Sequence, residues 1–506
     1  MTATTFDAPG PGQWETLRDH FPDALTPEYQ LILGQAFTEG FEVPCHHYGM
    51  PLRTFRLRFV HGRPYLRPVA IIGGDRPSPK LPTVVARLLF RVIPAMRRAA
   101  TRAEQAMADR RWLGEAESWY SEHRPAAIER NRALQATAFD SLDDDALATH
   151  LEVARANLLD GYVLHFSLHG ADLLPAGVLL ARCRSWGIEP GDVLPFLTGH
   201  SPATRLADVE PDDLRWRSAA GYDLDAPTVG ELGGLTGQMH KRGAPVAVDP
   251  SPEFMARIPS ERWSDFEQWL ADARATYGVR DDNSAILGSW PVGLLRRAML
   301  EAGRRLGMLD PAHSIELTAA ELCARLRGAE RPTANDAADR AQARAAMSRL
   351  PAPRLLGPDE PLPPVDALPS AMAAFTAAFL LFRELNVTAQ YHDGMHGFGL
   401  GNESVTGRAV VAHDATDALL RLEPGDILIT PMTSPAYNAV LSFAGGLVVV
   451  EAGLVSHAAV IARELGLPTI LGVADAMKIE DGATITLDPT AGTVRQIAAP
   501  GAGVAI

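Results

Sequence analysis

The sequence predicts an α+β protein of several domains, with a large, mainly helical part followed by a smaller C-terminal part of alternating strands and helices. Three observations predict it. Apolar residues recur at helical spacing through Leu81 to Trp186, through Ser264 to Tyr277 and again from Leu294. From Arg408 to Leu487, short apolar runs alternate with short helical ones, as in a β/α unit. Between the two parts lie eight prolines from Pro332 to Pro369, a density that resists core packing and reads as a semi-rigid linker. The expected division is residues 1–330, a helical domain; 331–400, linker, apolar helix and hinge; and 401–498, the β/α domain.

A chain of 506 residues can bury more than one core. Its 47 basic against 61 acidic residues give a net charge of −14, which argues against nucleic acid or an anionic membrane as partner. The three cysteines, Cys45, Cys183 and Cys323, are far apart and show no metal-ligand spacing, so a reducing cytoplasm is the expected setting. The first residues lack a basic region followed by an apolar core, and no signal peptide is expected. The apolar stretch Ala371 to Phe382, read as the longest, is too short to span a bilayer.

Taken in order, Phe55–Val60 and Pro64–Pro68 alternate like strands and are joined at His61-Gly62, which predicts a hairpin. His46 and His47 precede it; as adjacent residues their side chains diverge, so a shared metal is not expected. The run after Ser141-Leu-Asp-Asp-Asp opens a helix with capping chemistry and carries His165 and His169, an i,i+4 pair on one face. That pair suits pocket lining, acid/base work or plain helix packing; the missing Glu of a His-Glu-x-x-His motif argues against metal. Residues 190 to 250, with His240-Lys-Arg, read as loops and short helices. Arg280, Asp281, Asp282 and Asn283 form a polar knot between apolar helices, either a solvated junction or an orienting network in a pocket. After the prolines comes a helix from Ala371 to Leu385. The Gly-rich segment Tyr391 to Gly401 lacks a preceding strand and reads as a hinge, with His392 and His396 on its surface.

The C-terminal part contains the residue with the clearest chemistry. Leu447–Val450 reads as a buried strand, Gly453 as a turn, Ser456 as an N-cap, and Gly466 with Pro468 as a helix stop. His457 then lies in the first helical turn, where backbone N–H groups and the helix dipole favour an anion and keep an imidazole neutral. A neutral imidazole is a nucleophile, and a phosphoryl group transferred to it would form against ready-made donors. The other reading is an ordinary cap histidine.

Gly425-Asp-Ile-Leu-Ile-Thr-Pro-Met-Thr-Ser-Pro435 and Gly453-Leu-Val-Ser-His-Ala-Ala-Val-Ile-Ala-Arg-Glu-Leu-Gly-Leu-Pro-Thr-Ile-Leu-Gly472 decide between these readings. Together they resemble the β/β/α swivelling phosphohistidine domain of PEP-utilising enzymes, shared by phosphoenolpyruvate synthase, pyruvate phosphate dikinase and rifampin phosphotransferase. The resemblance runs from about Gly401 to Gln496 and departs from the family at Ala452-Gly453, where two glycines are usual. Phe21–Tyr29, Arg296–Leu306 and Ile315–Leu322 resemble, more diffusely, the helical substrate-binding domain of rifampin phosphotransferase. No Walker A sequence, ATP-grasp segment or barrel-like strand-helix repeat is expected in this chain.

The resemblance implies a phosphotransferase component with a phosphohistidine intermediate. A separate ATP-grasp subunit would hold ATP and Mg, form AMP and phosphorylate His457. A hinge around residues 386 to 402 would let the domain swivel to a small-molecule hydroxyl, with phosphate kept or lost by dehydration. No cofactor or metal is expected to bind tightly to this chain itself. Thr433, Glu451, Gly453, Ser456 and Arg463 are the expected phosphoryl-binding or orienting residues. His165, His169, Arg280 and Asp282 are expected at the acceptor, with His165, His169 and Asp282 as candidate bases. Two other readings are a phosphorylation-sensed regulatory protein and a phosphoenolpyruvate-driven phosphocarrier.

Overall fold

The computed structural model describes residues 5–18, 20–74, 76–77, 82–200, 210–218, 223–232, 247–360, 364–387, 394–433 and 437–498. The chain divides into two compact units. The first comprises Met1–Ala171, Asp223–Asp225 and Ile286–Thr376; the second comprises Asp172–Tyr222, Ala226–Ala285 and Ala377–Ile506.

The first unit is mainly helical around a small antiparallel sheet. Its strands are β1 (Trp14–Thr16), β2 (Leu52–Val60), β3 (Arg63–Ala70) and β4 (Leu355–Leu356), in the order β2-β3-β1-β4. β2 and β3 form the expected hairpin, and the turn residues His61 and Gly62 both have positive φ, 52° and 76°. Two such residues give a twist that matches that of the strands. The Pro27–His47 helix packs on β2 and on the Asp144–Ser167 helix. That second contact depends on Gly40, where a Cβ would lie 2.7 Å from the Val163 carbonyl oxygen. The space is filled by Phe37, Phe41, Phe55 and Phe166, all buried, with Phe41 and Phe166 stacked at 5.3 Å. Each such ring contributes roughly 2–3 kcal/mol by leaving water.

The Pro-rich segment is more ordered than its composition predicts. Residues Ala334–Ser348 form a helix whose Thr333–Asp336 capping box ties both ends of its first turn. Beyond it, β4 pairs with β1, and Glu360 makes a buried two-point ion pair with Arg67. The reason is spacing. Pro332 and Pro351 fall outside the helix, and a two-residue edge strand needs few free N–H groups.

Asp223–Asp225 returns to this unit from a distant part of the sequence. The Thr26 backbone N–H and hydroxyl donate to the two Asp223 oxygens at 2.8 and 2.5 Å. Burial, then the neighbouring Asp225, raises the Asp223 carboxyl from 3.8 to about 7, against the lowering effects of Thr26 and Arg344. A carboxyl raised on folding stabilises most below its unfolded value and loses that stability as pH rises through its folded value. Stability is therefore expected to fall as pH rises from about 4 to about 7. Urea midpoints of the wild type and Asp223→Asn across that range test this; equal slopes against pH would remove Asp223 as the cause.

The second unit combines a helical part with a seven-stranded sheet of order β11-β10-β6-β7-β8-β9-β5. Its strands are β5 (Phe398–Leu400), β6 (Val405–Val411), β7 (Ile427–Thr430), β8 (Gly446–Val449), β9 (Thr469–Leu471), β10 (Thr484–Asp488) and β11 (Thr493–Ala498). β6 to β9 are parallel; Thr406 and Arg408 of β6 are exposed, while β7, β8 and β9 are buried on both faces. Val410, Leu428, Leu447, Val449 and Leu471 face one core, while Ala409, Ile427, Ile429, Val448 and Ile470 face the other. Burial on both sides is why these strands read as unbroken apolar runs. Of the expected hinge, residues 388–393, including His392, lie outside the described residues. Its end is not a free hinge but the edge strand β5, paired with β9, and exposed His396 bridges to Thr493. β5 comes close because Gly399 has no side chain: a Cβ there would sit 1.7 Å from the Pro489 carbonyl oxygen.

In the helical part of this unit, the Trp263–Tyr277 helix is held by an Arg182–Asp265 ion pair, with Arg182 over the Trp269 ring at 5.4 Å. The expected polar knot forms the short helix Val279–Ser284, with Asp282 and Asn283 buried rather than solvated. His240-Lys-Arg lies outside the described residues. Among the described residues, the Asp144–Ser185 run, not Ala371–Phe382, is the stretch long and apolar enough to cross a membrane by length and composition. Two thirds (67%) of its apolar window is buried inside the protein, as in a core helix.

Candidate functional site

The site is built on the loops that leave the C-terminal ends of the parallel strands β7 and β8, where α/β sheets place their ligands. The two loops are stitched together by backbone bonds from Val450 N–H to Thr430 O and from Glu451 N–H to Pro431 O, 3.2 and 2.8 Å. Tyr437 closes the first loop through its hydroxyl, 2.9 Å from Thr430 Oγ1, and burial pushes that phenol up.

The second loop turns tightly, with Ser456 N–H donating to Gly453 O at 3.1 Å, and enters the His457–Leu465 helix. Ser456 is its N-cap, accepting from Ala459 N–H, and Gly466 ends it in the left-handed conformation at φ 58°. Both termini follow from the residue types. His457 is the first helical residue, half-buried. Its Nδ1 is 3.1 Å from Thr433 Oγ1 and its Nε2 is 2.7 Å from Asn438 Oδ1. The imidazole is thus held at both nitrogens in the first turn of a helix, whose N-terminal end favours an anionic group.

The other expected residues take distinct places. Glu451 is fastened by its backbone at the loop crossing. Gly453 has no positive φ; its role is close approach, since a Cβ would lie 2.0 Å from the Leu385 carbonyl oxygen and 2.6 Å from that of Asn386. Arg463 donates to the Leu454 and Ala459 carbonyls at 2.8 and 3.4 Å, bracing the loop in front of His457. Burial lowers its pKa and also pushes nearby Tyr277 up to about 12.

The next residue, Glu464, is buried and receives the Gly199 N–H at 3.1 Å on both carboxylate oxygens, tying the His457 helix to the helical part of its unit. Glu464→Ala is expected to cost about 2–3 kcal/mol, the range for losing a bond to a charged acceptor and stranding a donor. Urea unfolding monitored on the second unit checks it, and an unchanged midpoint would show that the tie is not holding.

His165 and His169 lie in the first unit, in edge-to-face contact with ring centroids 4.8 Å apart, next to Phe166 and Phe41. Arg280 and Asp282 belong to the second unit. His47 is paired with Glu115 at 3.0 Å. Among the described residues, no three His, Cys, Asp or Glu side chains are grouped to hold a metal ion. The cysteines are buried and unbridged; burial lifts Cys45 and Cys183 to about 12 and Cys323 to about 11, which makes them poor nucleophiles.

Asn438 was not foreseen. It opens the short Asn438–Leu441 helix, and its only signal in the sequence is a polar residue at the start of an apolar helical run.

The position of this histidine within the matched segment identifies the domain. Residues 422–492 match the PEP-utilising enzyme, mobile domain. A pyruvate kinase of Lactobacillus delbrueckii subsp. bulgaricus is 45% identical over 101 residues, 20% of this chain and 17% of that protein. Phosphoenolpyruvate synthases of Aeropyrum pernix and Escherichia coli (strain K12) are 40% and 38% identical over 90 and 92 residues, 18% of this chain and 11% and 12% of theirs. The chain therefore spans less than a fifth of the length of these relatives. The mobile-domain match contains His457, Thr433, Asn438, Glu451, Gly453, Ser456 and Arg463.

Proposed function

We propose that the mobile domain carries a phosphoryl group on His457 between a donor on another protein and a small organic hydroxyl compound. The observation that carries the reading is the His457 imidazole, held by Thr433 and Asn438 at a helix N-terminus inside the segment that matches the mobile domain. Phosphoryl transfer asks chiefly for positioning and charge stabilisation, and the first-turn N–H groups with Ser456 supply donors. Attack by the imidazole forms an N–P bond as a P–O bond of the donor breaks, with the electron pair leaving on the donor oxygen. The acceptor hydroxyl then displaces the imidazole.

The donor side of the proposal is a separate ATP-grasp subunit that binds ATP and Mg, passes one phosphoryl group to His457 and releases AMP, the other phosphoryl group leaving as phosphate, this chain binding no cofactor tightly. The acceptor side of the proposal is a helical region resembling that of rifampin phosphotransferase, its candidate polar groups being either His165 and His169 of the first unit or Arg280 and Asp282 of the second. Three buried, unbridged cysteines suit a reducing, cytoplasmic setting. Neither nucleic acid nor a membrane is assigned as partner. Phosphate either remains on the product or departs in a dehydration.

Intact-protein mass spectrometry at mildly alkaline pH tests the first half-reaction. The chain is incubated with ATP, with and without an ATP-grasp partner. An acid-labile phosphoryl adduct is expected only with the partner. Its absence with an active partner would turn the reading toward a phosphoenolpyruvate donor, tested in the same assay.

A further inference from the structure

We propose that Asn438 selects which imidazole nitrogen of His457 accepts the phosphoryl group; the proposal rests on the phosphohistidine reading above. A neutral imidazole has one N–H and one lone pair, and only the nitrogen with the lone pair can attack. Both nitrogens are engaged by residues of the loop after β7 and the helix it enters: Thr433 at Nδ1, 3.1 Å, and Asn438 at Nε2, 2.7 Å. Thr433 cannot choose the tautomer, because a hydroxyl both donates and accepts. The Asn438 amide can, because its two ends are chemically distinct.

With Oδ1 toward the ring, as in the structure, Nε2–H donates to Asn438 and Nδ1 accepts from the Thr433 hydroxyl. Nε2 is then protonated and cannot attack. When the amide turns over, its NH₂ group faces Nε2, which gives its proton to water as Nδ1 takes one from water and donates to Thr433 Oγ1; Nε2 accepts from the NH₂ group until the donor phosphorus displaces that bond. Nε2 now holds the lone pair. On attack the N–P bond forms at Nε2, the leaving group takes the electron pair of the broken bond, and the ring proton stays on Nδ1 against Thr433. The Asn438 amide N–H is then placed to donate to a phosphoryl oxygen. Buried Thr433 holds the Nδ1 side of the ring throughout. Asn438 is thus a positioning residue and also a gate: in the orientation seen, the ring rests in its unreactive tautomer at Nε2.

The test needs no partner protein. Potassium phosphoramidate phosphorylates exposed histidines directly, its P–N bond breaking as ammonia leaves. The full chain, Asn438→Ala and Asn438→Asp are treated with it. Labelling of His457 is followed by peptide mapping at alkaline pH, and the isomer is read by ³¹P NMR. Wild type is expected to label at Nε2. Asn438→Ala frees the tautomer and is expected to place at least about a tenth of the adduct on Nδ1. Asn438→Asp keeps the shape but only accepts and carries charge, so it is expected to label at least about 30-fold more slowly than wild type and more slowly than Asn438→Ala. A packing role alone predicts the opposite order, with the isosteric variant milder. One isomer and rates within about twofold across all three proteins would overturn the proposal, as would a wild-type adduct on Nδ1. No label on wild-type His457, while exposed His396 is labelled, would remove the phosphohistidine reading itself.

Discussion

His457→Ala is expected to abolish the acid-labile phosphoryl adduct and to lower turnover with any phosphoryl donor by at least about 10⁴-fold, because on the proposed mechanism it removes the nucleophile of the covalent relay. The fold survives. His457 is half-buried at a helix N-terminus, so its loss removes two side-chain hydrogen bonds, to Thr433 and Asn438, but no core volume. The cost is about 1–2 kcal/mol, at the net value of such bonds. Intact mass and a thermal melt on the same preparation separate the two effects. Normal turnover in a well-folded His457→Ala protein would sink the mechanism.

Gly453→Ala is expected to be strongly destabilising for the mobile domain. The new Cβ would come within 2.0 Å of the Leu385 carbonyl oxygen and 2.6 Å of two Asn386 backbone atoms. Backbone atoms cannot turn away as a side-chain end can, so either the Ser370–Val387 helix end or the loop carrying Ser456 and His457 must shift. The expected loss is about 3 kcal/mol or more, the upper range for overpacking. Melting of the second unit measures it. Labelling of His457 should slow as well, because the displaced loop sets where the imidazole stands. An unchanged melt would mean that this approach is looser than the geometry states.

At Gly453 the local sequence and the tertiary structure give different physical reasons for a glycine. A glycine before a helix suggested a turn, which is a local property. Its backbone φ is ordinary, and what demands glycine is a helix end about seventy residues away. Arg463 is a similar case. The resemblance alone puts it among the phosphoryl-binding or orienting residues; its anchoring to the Leu454 carbonyl depends on how the preceding loop folds back. Asn438 escaped notice because an isolated polar residue at a helix start has no distinguishing pattern until the imidazole is set against it.

The sequence by itself determined the short apolar runs of β7 and β8, the alternating His61-Gly62 hairpin, and the Ser456 cap and Gly466 stop of the His457 helix. All of these rest on interactions within a few residues, where side-chain type and backbone preference suffice. Only the tertiary structure decided that the Pro-rich segment adds a strand to the first sheet and that Asp223 comes back to cap Thr26. It alone decided that Glu464 holds Gly199 and that Thr433 and Asn438 divide the two nitrogens of His457 between them. These are contacts between segments distant in the chain, or between loops whose path is set by the strands beneath them. Their energies come from burial and hydrogen bonding that exist only once the cores have formed.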